Sequence, residues 1–283
     1  MKKILKRFDE NDLKYFEPEA KVGLIATLNP EGLPHVTLIT ALQAKTSDKL
    51  IWGQFSEGQS KQNVQTNPKT GFLIMTLDRS LWRGKALWTS SATHGEDYEM
   101  FNNKPMFRYN AYFGIHTVHY MDLMETYGRE ALPLLRIGLG SILTRVAKSA
   151  ARKVSSAGRI LKPWAEGLFN RLNSIKFICY ADEDGYPVVI PLIQCQAADS
   201  TRLAFSPLAY QDELAALRPG CNVAVFGLTM EMEDVLVRGV FTGLEKHRGI
   251  TLGCVDINWV YNSMPPKPGQ IYPVPELRPV VNF

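Results

Sequence analysis

Lys61 stands in a short polar run, FSEGQSK (Phe55 to Lys61), between an apolar stretch ending near Gln54 and another that resumes after Asn67-Pro68. The small residues Ser56, Gly58 and Ser60 let a backbone approach a ligand closely. The following residues, SKQNVQT, have helical character, and the first N–H groups of a helix have no partner within it. Hydroxyls, free N–H groups and one ammonium aimed at one point make an anion site, and a compact lysine charge suits phosphate. A solvated turn carrying a free lysine is the other reading of these residues alone.

His116 and His119 form an HxxH, with Asp122 three residues further on. Read as a helix, the three share a face. Metal binding, packing among Tyr109, Asn110, Tyr112 and Tyr120, and a place beside a bound ligand are the alternatives. No HExxH or third histidine cluster supports the metal. His116, His119 and Tyr112 are the candidates for positioning a substrate or moving a proton. GQFSEG (Gly53 to Gly58) is not a nucleophile elbow, because its first glycine comes one position too early. GLGSIL lacks the third glycine of a dinucleotide fingerprint and follows no strand.

The elements that must hold these residues occur twice. KVGLIATLNPEGLPHVTLIT (Lys21 to Thr40) matches SIKFICYADEDGYPVVIPLIQ (Ser174 to Gln194), each an apolar strand, a Gly-x-Pro turn and a second strand. Gly32 corresponds to Gly185, Pro68 to Pro219 and Gly84 to Gly239, at offsets of 153, 151 and 155. Small loop changes absorb the differences at little entropic cost. Each half therefore carries five or six antiparallel strands, the pattern of a small barrel or sandwich. The expected fold is mainly β: two antiparallel split β-barrels forming an intramolecular pseudo-dimer, joined by a helical segment. Its expected divisions are 1–90, 91–173 and 174–283.

The middle segment reads differently. GEDYEMFNN and VHYMDLMETYG look helical, and a long helical pattern from residue 131 to 172 is weakened at Gly138, Gly140 and Gly158 and broken at Pro163. Leu135, Leu139, Ile142, Val146 and Ala150 fall on one face, with Arg145, Lys148, Arg152 and Arg159 set against them. From Arg129 to Lys176 there are ten Lys/Arg against Glu130 and Glu166, a net charge of +8 that leaves the remainder near −4. The apolar face is expected to pack on a barrel. The alternatives are contact with an anionic membrane surface or polyanion, and docking to an acidic partner or second subunit.

Composition is that of a globular chain, 45% hydrophobic and 21% charged, with a formal charge of +4 that does not by itself argue for nucleic acid. The basic N-terminus has no apolar run behind it, and no stretch is long and apolar enough for a membrane span. Cys179, Cys195, Cys221 and Cys254 form no CxxC pair. A reduced, cytoplasmic protein with buried thiols is expected.

The ordered set GLIATLNPEGLPHVTLIT, LIWGQFSEGQSKQNVQTNPKTGFLIMT and WRGKALW resembles the FMN-binding split barrel of the pyridoxamine-5′-phosphate-oxidase-like superfamily. The likeness is good over residues 20 to 90 and looser over the second copy. It also resembles a branch with a helical insert, through FNNKPMFRYNAYFGIHTVHYMDL. The resemblance implies FMN as cofactor, with its phosphate on Ser60 and Lys61 and a further contact from Ser56 and Gln59. His35, Thr37, Leu38, Ile39 and Thr40 would line the ring and ribityl chain. Trp52 to Phe55 would supply backbone and side-chain contacts to the ring, with Gln54 the polar one and Phe55 beside it. The second copy places Gln211-Asp212 where Ser-Lys should stand, so one FMN per chain is expected, with the degenerate half as a wall across the groove. The implied function is a flavin-dependent oxidoreductase of unassigned substrate. The alternatives are a non-enzymatic FMN carrier or electron-transfer module, and a barrel using deazaflavin or haem. The redox partner, small molecule or protein, is left open, as is pairing into a homodimer.

Overall fold

The computed structural model describes residues 3–18, 20–54, 56–105, 108, 114–153, 158–262 and 269–273. The chain divides into two compact units, Met1–Leu132 with Cys179–Val189, and Pro133–Ile178 with Ile190–Phe283.

The first sheet contains β1 (Lys21–Leu28), β2 (Pro34–Leu38), β3 (Gln43–Thr46), β4 (Lys49–Gln54), β5 (Lys69–Thr76), β6 (Ser80–Ala92), β7 (Thr117–Thr126) and the short β8 (Glu130–Ala131). Its order is β2-β1-β5-β6-β7-β4-β3, with β8 beside β6. Helix α1 (Gln59–Thr66) joins β4 to β5, and α2 (Glu96–Asn102) lies between β6 and β7. The second sheet contains β9 (Ile175–Ala181), β10 (Pro187–Pro191), β11 (Gln196–Asp199), β12 (Arg202–Phe205), β13 (Asn222–Leu228), β14 (Asp234–His247), β15 (Ile250–Asn262) and β16 (Gly269–Tyr272). Its order, β10-β9-β13-β14-β15-β12-β11, repeats that of the first sheet strand for strand, with β16 beside β15. All neighbouring pairs of the first sheet are antiparallel, as are β11–β12, β12–β15, β13–β14, β14–β15 and β15–β16 of the second.

The repeated Gly-x-Pro turns have one physical cause. Asn29 O accepts from Gly32 N (2.9 Å), and Asp182 O accepts from Gly185 N (2.9 Å). Gly32 and Gly185 have φ of 73° and 78°, the left-handed region that glycine enters without steric cost. Gly84 and Gly239, the third pair of anchors, answer a different need. A Cβ on Gly84 would overlap the carbonyl oxygen of Glu125 on β7, and one on Gly239 that of Asp256 on β15. Both sit in long strands, Gly239 at a register shift between β14 and β15 and Gly84 one residue before the shift between β6 and β7.

Phe8, Phe16, Ile25, Trp52, Phe72, Ile74, Trp82 and Met121 form the interior of the first unit. Phe101 of α2 packs with Ile51, Ile115 and Val118 in a separate cluster. Within the same unit the buried Lys85 on β6 pairs with Asp182 (2.7 Å) and Asp184 (2.8 Å). In the second unit Ala147 and Ala151 pack against Ala198, Ala204, Leu252 and Cys254.

Three sequence expectations are corrected. The stretch VHYMDLMETYG is not helical: Val118 to Thr126 belong to β7, the strand that closes the gap between β6 and β4. Its Met and Leu residues suit a helix by propensity, but pairing with β4 on one edge and β6 on the other overrides that preference. The second correction concerns the long helical pattern. Helix α3 (Leu134–Ala147) runs through Gly138 and Gly140 without interruption and passes into a 3-10 turn at Lys148–Ala151. Pro163 opens α4 (Pro163–Asn170) as its first residue rather than breaking a helix. The apolar face of α3 does not pack on the sheet. Leu135, Leu139, Ile142 and Val146 are exposed, and the small opposite face, Ile137, Gly140, Thr144 and Ala147, is buried. No helix among the described residues is long and apolar enough to cross a membrane. The four cysteines are free; Cys179, Cys195 and Cys254 are buried and Cys221 is half-buried.

Candidate functional site

Helix α1 begins where the opening motif places it. Its N-cap, Gly58, makes no side-chain capping bond, so the first N–H groups of the helix have no side-chain acceptor there. Lys61 lies in the first turn and folds back toward that end: a Cβ on Gly58 would be 3.5 Å from Lys61 Nζ. The lysine is only 8% exposed. Burial pushes its pKa down, and Glu57 pulls it back.

Side chains of the first hairpin hold α1 in place. Thr37 Oγ1 and Ser60 Oγ share a hydrogen bond of 2.5 Å. Asn63 Nδ2 donates to Thr27 Oγ1 at 2.9 Å. Ser60 is fully buried, as is Thr27. The helix is therefore pinned across β1 and β2 through two side chains one helical turn apart. One of the pins, Ser60, lies in the first turn beside Lys61.

A second group of residues stands on β4 and β7. Trp52 and His119 are opposed in register, and their rings stack at 3.8 Å with an 8° interplanar angle. Trp88 Nε1 donates to His119 Nδ1 at 3.1 Å, and His119 Nε2 meets Gln54 Oε1 at 2.7 Å. Gln54 Nε2 donates to Glu57 Oε1 at 3.2 Å. Burial, with Lys61 nearby, lowers the His119 pKa to about 4. The imidazole is thus neutral at pH 7, and both its nitrogens are engaged. The nearby Lys61 ammonium ties this group electrostatically to α1.

The other residues singled out in the sequence fall in several places. His35 is buried on β2, one position before Val36 and two before Thr37. Ile39 belongs to the interior cluster of the unit, and its N–H donates to Gly23 O at 2.7 Å. Leu38 and Thr40 are half-buried at the end of β2 and just beyond it. Gln59 is the first residue of α1, and Ser56 is exposed before it. His116 is exposed beside Thr117, 2.8 Å from its hydroxyl. On a strand, residues three apart point to opposite faces, so His116 and His119 do not converge as the helical reading had them. Phe55, Tyr109, Asn110 and Tyr112 lie outside the described residues.

Trp88, Glu57, Asn63 and Thr27 escaped the sequence reading. Trp88 and His119 meet only because β6 and β7 pair, and their separation of 31 positions carries no local signal. Glu57 lies inside the motif, but nothing in its spacing announced the bond to Gln54.

In the second sheet α5 (Gln211–Ala215) joins β12 to β13, as α1 joins β4 to β5. Counted from the start of each helix, Asp212 and Glu213 stand where Ser60 and Lys61 stand. Two acids in that turn disfavour an anion.

No protein-family model matches the chain, and no curated protein matches it. Several solved structures resemble part of the chain. An FMN-binding protein from Syntrophomonas wolfei subsp. wolfei is 13% identical over 41% of this chain and 80% of its own, at a TM-score of 0.34. HupZ of Group A Streptococcus is 15% identical over 42% and 91%, at 0.35. An F420 reductase is 16% identical over 42% and 97%, at 0.33. Each likeness spans less than half of this chain.

Proposed function

We propose that this chain is an FMN-binding flavoprotein, and that it acts as a flavin-dependent oxidoreductase. The observation that carries the reading is the buried Lys61 ammonium lying over the uncapped start of α1, with Glu57 the only acid that offsets it among the described residues. Burying a cation costs free energy unless something compensates it. A phosphate at this helix end would supply the compensation and accept the free N–H groups. Ser60 would add one hydroxyl, with Thr37 holding that hydroxyl in place.

The chain Trp88–His119–Gln54–Glu57 belongs to the same reading as an orienting device. The indole can only donate, so His119 Nδ1 accepts and Nε2 carries the proton toward Gln54 Oε1. The Gln54 amide is thereby fixed, with Nε2 toward Glu57 and one N–H left over. That N–H suits a carbonyl or ring-nitrogen acceptor of a flavin. His119 thus acts as a positioning residue; with both nitrogens engaged it has no lone pair for a substrate proton.

Bound flavin supplies the hydride or electron-pair chemistry, and the protein binds and orients it. The acids in the first turn of α5 argue that the second sheet lacks the phosphate contact, which makes one FMN per chain the proposed stoichiometry.

The test is the absorbance spectrum of the purified protein, with chromatography of whatever denaturation releases, run beside Lys61→Ala. One equivalent of FMN per chain, lost or much weakened in the variant, is the expected result. Two equivalents overturn the single site. A protein that stays colourless after reconstitution with FMN overturns the cofactor, and a Soret band identifies haem instead. Anaerobic bleaching by NAD(P)H is expected for a reductase, whereas bleaching only by a protein donor identifies a carrier.

A further inference from the structure

Helix α3 is mounted with its amphipathic faces reversed relative to ordinary packing on a sheet. The buried side is mostly small residues: Gly140, Thr144 and Ala147 beside Ile137. Thr144 Oγ1 accepts from Ser206 N at 2.8 Å and donates to Gly140 O at 2.8 Å. Gln196 Nε2 donates to Ser141 O at 2.9 Å, and a Cβ on Gly140 would sit 3.3 Å from Gln194 Cγ. The outward side is an aliphatic ridge: Leu135, Leu139, Ile142 and Val146 are 86%, 57%, 61% and 52% exposed. These four lie within about 60° of arc at 100° per residue. Such a continuous exposed row marks a surface that meets something apolar.

The charges beside the ridge say what that is. Arg136 and Arg145 fall about 80–100° from its centre line, one on each flank. Other cations of the basic segment are already engaged: Lys153 with Asp256, Arg159 with Glu166 and Arg171 with Glu233. Its two acids are engaged as well, Glu130 with Arg83 and Glu166 with Arg159. Arg136 and Arg145 have no ion pair among the described residues, and both are exposed. A second copy of the chain laid ridge to ridge would oppose arginine to arginine with no acid between them, which disfavours that occupant.

We infer that α3 is a membrane-surface helix: its ridge enters the interface of an anionic bilayer, and Arg136 and Arg145 sit at headgroup level on either side. Aliphatic insertion combined with arginine–phosphate contact is the arrangement of an in-plane amphipathic helix. The inference is independent of the FMN reading.

The experiment is flotation of the full chain with vesicles of phosphatidylcholine containing about a third phosphatidylglycerol, and with pure phosphatidylcholine vesicles. The wild type is expected to float with the anionic vesicles and to be released by high salt. Leu139→Glu with Ile142→Glu, and separately Arg136→Glu with Arg145→Glu, are each expected to lower partitioning at least tenfold. These positions are exposed, so the variants should keep the wild-type melting temperature. Leu77→Glu, at another exposed aliphatic site, should partition as wild type. Absence of flotation on anionic vesicles overturns the proposal, as does flotation that the α3 variants do not change. A wild-type dimer that the Leu139/Ile142 variant converts to monomer also overturns it, by making the ridge a self-contact.

Discussion

Trp88 Nε1 donates to His119 Nδ1 across β6 and β7, and this one bond at 3.1 Å determines the tautomer of a buried imidazole. With Nδ1 accepting, Nε2 must carry the hydrogen that reaches Gln54 at 2.7 Å. Direction then propagates through the Gln54 amide to Glu57, beside the helix that carries Lys61.

The first prediction concerns that imidazole. Its native pKa of about 4 lies below the ordinary 6.5, so between those values the unfolded chain binds more protons than the native one. The stability associated with neutral His119 is complete above pH 6.5 and is lost as pH falls toward 4, by about 3 kcal/mol in total. Imidazole resonances followed by NMR should show no titration of His119 between pH 5 and pH 8. In denaturant melts, His119→Gln should remove that part of the acid slope. A His119 titrating near 6.5 would contradict the buried, hydrogen-bonded arrangement.

Lys61→Ala should weaken FMN binding by about 10–100-fold, the loss of one charge-assisted phosphate contact. Removing a buried cation also removes its desolvation cost, so the apo variant should melt no lower than wild type. Isothermal titration with FMN and a thermal melt without it separate the two effects. A variant that binds FMN as wild type does would leave Lys61 without the role proposed for it.

Lys176 offers a test in the second unit. It is 1% exposed, donates to Arg171 O at 2.7 Å, and burial lowers its pKa to about 8. Between pH 8 and the ordinary 10.5 the unfolded chain again holds more protons, so this group makes stability rise with pH over that window. Below pH 8 it is charged in both states and its burial is a net cost. Lys176→Met should therefore stabilise the protein by about 1–3 kcal/mol at pH 7 and flatten the difference above pH 8. Urea melts of the two proteins across pH 7 to pH 10 read both effects.

Gly84→Ala and Gly239→Ala should each cost about 3 kcal/mol or more, because the new methyl has only a neighbouring backbone carbonyl to displace. Gly138→Ala, on α3 with open space around its Cβ position, should instead be neutral or slightly stabilising. Comparing the three melting temperatures checks the crossing geometry of β6 with β7 and of β14 with β15.

Much of this molecule is local enough to be written in its residues. The Gly-x-Pro turns at Gly32 and Gly185, the start of α1 after Gly58 and the doubling of the chain follow from short-range sterics, turn chemistry and hydrophobic pattern. Lys61 among small polar residues was legible as a candidate anion site for the same reason. What the residues could not decide depends on pairing between distant strands. Val118 to Thr126 became β7 because two strand edges were waiting for it, and that choice turned His116 outward and brought His119 under Trp88. The 3.6-residue period of α3 was plain in the sequence, but periodicity states only that a helix has two faces. Which face meets the protein is decided by whether the other side offers a flat sheet for aliphatic chains or, as here, a close seat for Gly140, Thr144 and Ala147.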